Sequence, residues 1–361
     1  MYMDGLGTET DTEKGERYIL KASKLGNTIA TIQLATIYMG KEDSGFKEKA
    51  IQLLDDLVKK GEPLAQYKLG AIYANKENEE AGYYDLRKAV EYLEKSAGQG
   101  NEYAEYKLGA IYADRENEEA GYYDLRKAVE YLEKSAEKGN EYAEYKLGVI
   151  YANKENQKAG YYDLQKAVSY LEKSENRNNE YAQYKLGAIY ANAENAAAGY
   201  HNLEKAVSYL EKSADQKNPF AQYKLGAIYA NAENVAVGYY NLEKAVSYLE
   251  KAEKQNNEYA QYKLGVIYSD RNNTSQGYYN IGKSVEYLKK AAAQNNEYAQ
   301  YRLGMIYLDK SFGRYDLREA LRYLNLSAEQ NNQFAQCRLG CMYYFGKEVS
   351  RDKELGAYWL Q

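Results

Sequence analysis

Histidine occurs once, cysteine twice and proline twice in 361 residues, and these scarcities exclude several chemistries at the outset. His201 replaces a loop tyrosine in a single copy of a repeat, so no Ser–His or histidine–metal constellation can be assembled around it. Cys337 and Cys341 lie four residues apart in one expected helix, which is not a disulfide framework and gives no sign of an oxidising compartment. Two thiols without further Cys or His also make a poor metal site. No apolar run approaches the roughly 20 residues that cross a bilayer, and the opening residues lack the basic and apolar regions of a signal peptide. A formal net charge of -5 argues against the basic surface that phosphate neutralisation requires, so no direct nucleic-acid partner is expected. No Gly-rich phosphate loop is present, and carboxylates such as Glu77, Glu79 and Glu80 recur as solvated loop charge rather than as one convergent pair. The expectation is a cytoplasmic chain with no membrane span, no cofactor and no catalytic site.

Tyrosine is what the chain has in excess, with 44 residues against five Phe and one Trp. A repeat places them. AQYKLGAIYA at Ala65 returns at Ala104, Ala143, Ala182, Ala221, Ala260 and Ala299 with a spacing of 39 residues, flanked by weaker copies at Ala30 and Ala335. Self-similarity at such a period is the signature of stacked supersecondary units.

In each copy Ala65, Leu69, Ile72 and Tyr73 recur at helical intervals, giving a first helix, A, with one apolar face, while Gln66 and Lys68 are expected to point elsewhere. Gly70 and its equivalents at 109, 148, 187, 226, 265, 304 and 340 lie inside that helix, where glycine costs about 1 kcal/mol relative to alanine. Tight packing of another helix against A is the simplest cause. A second helix, B, starts at the capping Asp85 and carries Ala89, Tyr92, Leu93 and Ser96 or Ala97 on one face. Gly100–Asn101 or Asn256–Asn257 supplies the left-handed stop before the next A helix. The chain is therefore expected to be all-α, an α-α superhelix of about eight complete hairpins with partial terminal repeats. Repeats start near 28, 63, 102, 141, 180, 219, 258, 297 and 333, with a partial repeat over 1–27 and a truncated last one.

The pattern A-x-x-x-L-G-x-x-Y, a loop, then D-x-x-K-A-x-x-(Y/W)-L-x-K-(S/A)-A closely resembles the Sel-one-like repeat (SLR) of the tetratricopeptide-like superfamily. The last copy is most similar, with Y-x-x-G-x-x-V-x-x-D from Tyr343 to Asp352 and Trp359 at the aromatic position. The middle copies carry a loop three residues longer. The resemblance implies an adaptor or scaffold that holds protein or peptide partners. Two alternatives stand beside it, a repeat tail of a larger enzyme such as a mobilisation relaxase, which the resemblance also suggests, and a cell-wall glycan binder, which suits the tyrosines through aromatic stacking. The first of these also suits the chain ends: MYMDG reads as the end of an A helix, with Tyr2 in the Tyr73 position, and Gln361 stops the last B helix early. Such ends read as a fragment of a longer protein.

By analogy with the tetratricopeptide groove, the A-helix positions facing a concave surface are Tyr67, Ala71, Ala74 and Asn75, with Tyr103 opening the next copy. The Tyr67 position is then held by Tyr106, Tyr145, Tyr184, Tyr223, Tyr262 and Tyr301, and the Tyr103 position by Tyr142 and Tyr181. The Asn75 position holds Asp114, Asn153, Asn192, Asn231, Asp270 and Asp309. Tyrosine offers large, rigid contact area with a hydroxyl, and Asn can bond both groups of a peptide backbone. The competing reading is that the tyrosines pack between A helices and the Asn residues terminate them. A further ladder, Tyr83–Tyr84, Tyr122–Tyr123, Tyr161–Tyr162 and Tyr239–Tyr240, is expected to pack over the hairpin ends.

Overall fold

The computed structural model describes residues 11–360, so the reading of MYMDG and the stop at Gln361 lie outside the described residues. Two compact units divide the chain between Asn179 and Glu180. In the first, α1 (Thr12–Lys24) precedes hairpins α2–α3 (Thr28–Met39, Ser44–Val58) and α4–α5 (Pro63–Tyr73, Leu86–Ala97). Hairpins α6–α7 (Glu102–Ala113, Leu125–Glu137) and α8–α9 (Glu141–Ala152, Leu164–Glu175) complete it. The second unit holds α10–α11 (Glu180–Ala191, Leu203–Asp215), α12–α13 (Pro219–Tyr229, Leu242–Glu253) and α14–α15 (Glu258–Ser269, Ile281–Ala293). It continues with α16–α17 (Glu297–Leu308, Leu317–Glu329) and a shorter pair, α18–α19 (Gln333–Phe345, Lys353–Leu360). The described residues are all-α, with eight full hairpins between a lone first helix and a short last pair.

Local chemistry sets each hairpin. Asn101 caps α6 by accepting from the amides of Tyr103 and Ala104, and Asp124 caps α7 by accepting from those of Arg126 and Lys127. Gly100 (φ 83°) and Asn256 (φ 61°) take the left-handed conformation that stops the preceding B helices. The longer loop is itself ordered. Asp114 caps a 3-10 turn over Arg115–Asn117, and the buried Asn117 donates from Nδ2 to the Ile111 carbonyl at 2.9 Å while its own carbonyl accepts from Tyr122.

Packing explains the helical glycines. A Cβ on Gly109 would stand 2.5 Å from Leu132 Cγ and 3.1 Å from the Ala128 carbonyl, and Gly148 meets Leu171 and Ala167 in the same way. Leu132 is fully buried, as are Ala104, Leu108 and Ala128 around it. Ser135 Oγ ties the end of α7 to the start of α6 by donating to the Glu102 carbonyl at 2.8 Å. Successive A helices also touch directly within each unit, α4 with α6 and α6 with α8, α12 with both α10 and α14. The A helices from α4 to α8, and those from α10 to α16, thus each form a continuous layer.

One expectation is corrected. Gln66 does not point away from the packed face but is only 6% exposed, because Gln99 at the end of α5 donates to its Oε1 at 2.8 Å. The equivalent of this pair is Gln222–Gln255, Gln261–Gln294 and Gln300–Gln330 in the second unit. In α6 and α8 it becomes an ion pair, Glu105–Lys138 and Glu144–Arg177. A polar position reads as surface in the linear pattern, yet it is inside because its partner arrives from the next helix.

Candidate functional site: the A-helix face

The ring of Tyr67 on α4 meets that of Tyr103 on α6 with centroids 6.0 Å apart, and Tyr106 meets Tyr142 on α8 at 6.1 Å. Each pair is tilted, an arrangement aromatic rings favour. The second unit repeats it with Tyr184–Phe220, Tyr223–Tyr259, Tyr262–Tyr298 and Tyr301–Phe334, at 5.8 to 6.1 Å. The member at the Tyr67 position is half-buried, while the member at the Tyr103 position keeps about half its surface in solvent, 51% for Tyr103 and 49% for Tyr142. Tyr145 and Tyr181 hold these two positions on α8 and α10. The rings thus pack between neighbouring helices and still present an exposed aromatic row. Phe220, Tyr259, Tyr298 and Phe334 were not among the expected residues, although the Tyr103 register locates each of them.

Burial raises the phenol of Tyr106 above its ordinary value, helped by Tyr142 and Tyr67 nearby. Burial does the same for Tyr67, Tyr184, Tyr223 and Tyr262. The row is thus uncharged, able to donate and accept hydrogen bonds.

The Asn75 column is engaged locally. Asn75, Asp114, Asn153, Asn192, Asn231, Asp270 and Asp309 each accept from the amide two residues on, capping the 3-10 turn that follows the A helix. In Asn75 and Asn231 the amide nitrogen also donates, to Glu77 and Glu233.

Beside the aromatic row runs a column of lysines one residue further along each A helix: Lys68, Lys107 and Lys146 in the first unit, Lys185, Lys224 and Lys263 in the second. All six are half-buried, and none is in an ion pair among the described residues. Clefts between successive repeats open at this column. One of about 540 Å³ is lined by Lys47, Lys68, Ala71 and Asn75, and one of about 210 Å³ by Arg115, Lys146, Val149 and Asn153. A third, of about 310 Å³ in the second unit, is lined by Lys224, Asn231 and His201.

A second aromatic column joins A helices to their own B helices. Tyr112 at the end of α6 stacks on Tyr131 of α7 with centroids 6.0 Å apart, and Lys127 and Lys134 sit over the two rings. Tyr122 leans on Tyr112, as Tyr161 does on Tyr151 and Tyr239 on Tyr229, so the first tyrosine of these three loop pairs packs over its hairpin end. Burial, with Glu94 of the preceding repeat, pushes Tyr112 up to about 12.

Cys337 is exposed and Cys341 partly so, both as free thiols. Among the described residues no three His, Cys, Asp or Glu side chains converge as a metal site. Nor is any helix there long and apolar enough to cross a membrane.

A family model described as the Sel1 repeat matches residues 1–27, 63–101, 102–140, 141–179, 180–218, 219–257, 258–296, 297–332 and 333–361. No curated protein sequence matches the chain. Among solved structures, a Sel1 repeat protein from Oxalobacter formigenes is 23% identical, with 90% of each chain covered and a TM-score of 0.64. A protective antigen present in uropathogenic Escherichia coli strains, displaying an SLR fold, is 27% identical over 99% of this chain and 81% of its own, with a TM-score of 0.48. With the model spanning most of the chain and the hairpins matching in three dimensions, the chain belongs to the Sel1 repeat family.

Proposed function

We propose that this protein is a non-catalytic scaffold that binds an extended segment of a protein partner along the A-helix aromatic row. Sel1 repeat proteins generally mediate protein–protein interaction, on a fold that is typically a non-catalytic scaffold. The observation that carries the reading is the exposed half of the Tyr103, Tyr142 and Tyr259 rings, each held in place by a tyrosine of the preceding repeat. A ring fixed on one side and open on the other loses little entropy on contact and covers much area. Repetition of that unit favours an extended partner, because each further contact becomes intramolecular once the first has formed.

Tyr67, Tyr106, Tyr145, Tyr184, Tyr223, Tyr262 and Tyr301 supply the platform, and Tyr103, Tyr142 and Tyr181 its outer face. Asn75, Asp114, Asn153, Asn192 and Asn231 frame one edge through the turns that they cap. The test is retention of a purified partner, first identified by pull-down, on the immobilised chain and on a variant with Tyr103→Ala, Tyr142→Ala, Tyr259→Ala and Tyr298→Ala. Loss of retention with an unchanged melting temperature supports the reading. Equal retention by both overturns it.

A further inference from the structure

The lysine column has no structural employment. Elsewhere in the first unit the charges are matched: across successive repeats Lys76 pairs with Glu116 and Arg115 with Glu155 at 2.8 Å, and within one repeat Lys138 pairs with the buried Glu105 at 2.6 Å. Those contacts neutralise Glu116, Glu155 and Glu105, while Glu77, which shares the cleft of Lys68, accepts from the Asn75 amide. Lys68, Lys107 and Lys146 are left half-buried on adjoining helices without a carboxylate partner. Burial lowers the Lys107 ammonium below its ordinary value, and so does Lys146 beside it; in the second unit Lys185 is lowered by burial and by Lys224. Like charges held together out of water cost stability. In a chain of net charge -5, a cationic column at one register of every middle repeat is a local reversal of sign.

We infer that Lys68, Lys107 and Lys146 select an acidic, extended peptide segment, whose carboxylates enter the clefts between repeats while its backbone follows the Tyr67–Tyr103 and Tyr106–Tyr142 row. This rests on the A-helix face being the interaction surface. Two clefts hold a small side chain together with the lysine, Ala71 with Lys68 and Val149 with Lys146, which leaves room for a carboxylate. Adjacent helices pack roughly 8–10 Å apart, and an extended chain advances about 3.3 Å per residue. The spacing thus suits an acidic residue at about every third position. A peptide is favoured over a nucleic acid, since phosphate tracking needs a broad basic surface.

The test uses the full chain and a fluorescein-labelled peptide of about twelve residues with glutamate at every third position and serine and glycine between. Its glutamine analogue and an oligothymidylate of equal charge are the controls. Binding of the glutamate peptide, weakened at least about tenfold by Lys68→Gln with Lys107→Gln and Lys146→Gln and equally by the glutamine analogue, supports the inference. The triple variant is expected to melt no lower than the parent, because it removes uncompensated charge. The inference is overturned by no binding at millimolar peptide, by equal binding to parent and triple variant, by tighter binding of the oligothymidylate, or by a triple variant that melts markedly lower. Equal binding to the lysine variant combined with loss in the Tyr103→Ala and Tyr142→Ala variant would discard the acidic preference and leave the interaction face standing. Retention by both variants would discard the face as well.

Discussion

Lys138 Nζ donates to Glu105 Oε1 at 2.6 Å across 33 residues of chain, and Gln99 Nε2 donates to Gln66 Oε1 at 2.8 Å across the same interval one repeat earlier. The two pairs occupy one structural position with different chemistry. Replacing the ion pair by Glu105→Gln with Lys138→Gln is therefore expected to leave stability within about 1 kcal/mol, since a satisfied neutral pair loses Coulomb attraction but also sheds the desolvation cost. Lys138→Ala alone leaves the 4%-exposed Glu105 carboxylate unpaired and should cost more, on the order of 1–2 kcal/mol. Urea titration of the three variants checks the ordering.

Glu144 offers the pH-dependent counterpart. Burial raises its carboxyl above the ordinary range, against the pull of Arg177 and Lys173. A folded value above the unfolded one means that the fold favours the protonated form. Any such contribution is present below the unfolded value and lost as the pH rises through the folded one. Glu144→Gln is accordingly expected to raise the melting temperature at pH 7, with the advantage shrinking toward pH 4. A constant difference across that range would contradict the assignment.

Gly109→Ala should destabilise by about 1–2 kcal/mol, because overpacking against Leu132 and the Ala128 carbonyl exceeds the gain of roughly 1 kcal/mol in helix propensity. Leu132→Ala alone should cost about 2–5 kcal/mol. In the double variant the new methyl fills part of that cavity, so the combined loss should fall short of the sum by at least ~0.5 kcal/mol. A double-mutant cycle by denaturant unfolding reads this directly.

Tyrosines of the column stacked between A and B helices should titrate late. Burial first, and then Glu94, Glu133, Glu211 and Glu250, push Tyr112, Tyr170, Tyr229 and Tyr287 up to about 12. Their folded values exceed the unfolded one of about 10, so the stability they contribute is full below that pH and lost as the pH rises through 12. Absorbance at the phenolate band should show a fraction of tyrosines ionising well above the rest in the native protein and with the rest in denaturant.

At the helix stops, Gly100→Val is expected to cost about 1–2 kcal/mol through its left-handed backbone alone, since the nearest atom to an added Cβ is Lys138 Nζ at 3.9 Å. Asn256→Gly keeps the left-handed backbone but loses the side-chain hydrogen bonds to Gln294 and Gln261, and should cost about 1 kcal/mol. Thermal melts of the two variants separate backbone strain from lost contacts.

The sequence alone determined the hairpins. The Asp85 and Asn101 caps, the Gly100 and Asn256 stops and the clash-free glycine opposite each B-helix leucine are local or periodic signals, and a fixed 39-residue register repeats them. The tyrosine register at Tyr67 and Tyr106 was legible for the same reason. Tertiary structure decided what lies across that register. Whether Gln66 is inside depends on Gln99 arriving 33 residues later, and a polar side chain carries no mark of a partner not yet placed. Asn117 became a buried loop anchor only when the turn brought it under the Ile111 carbonyl. The lysine next to each platform tyrosine from Tyr67 to Tyr262 was half-buried and left unpaired by the neighbouring helix, because packing distributes water and counter-charge among helices, and helical periodicity distributes only faces.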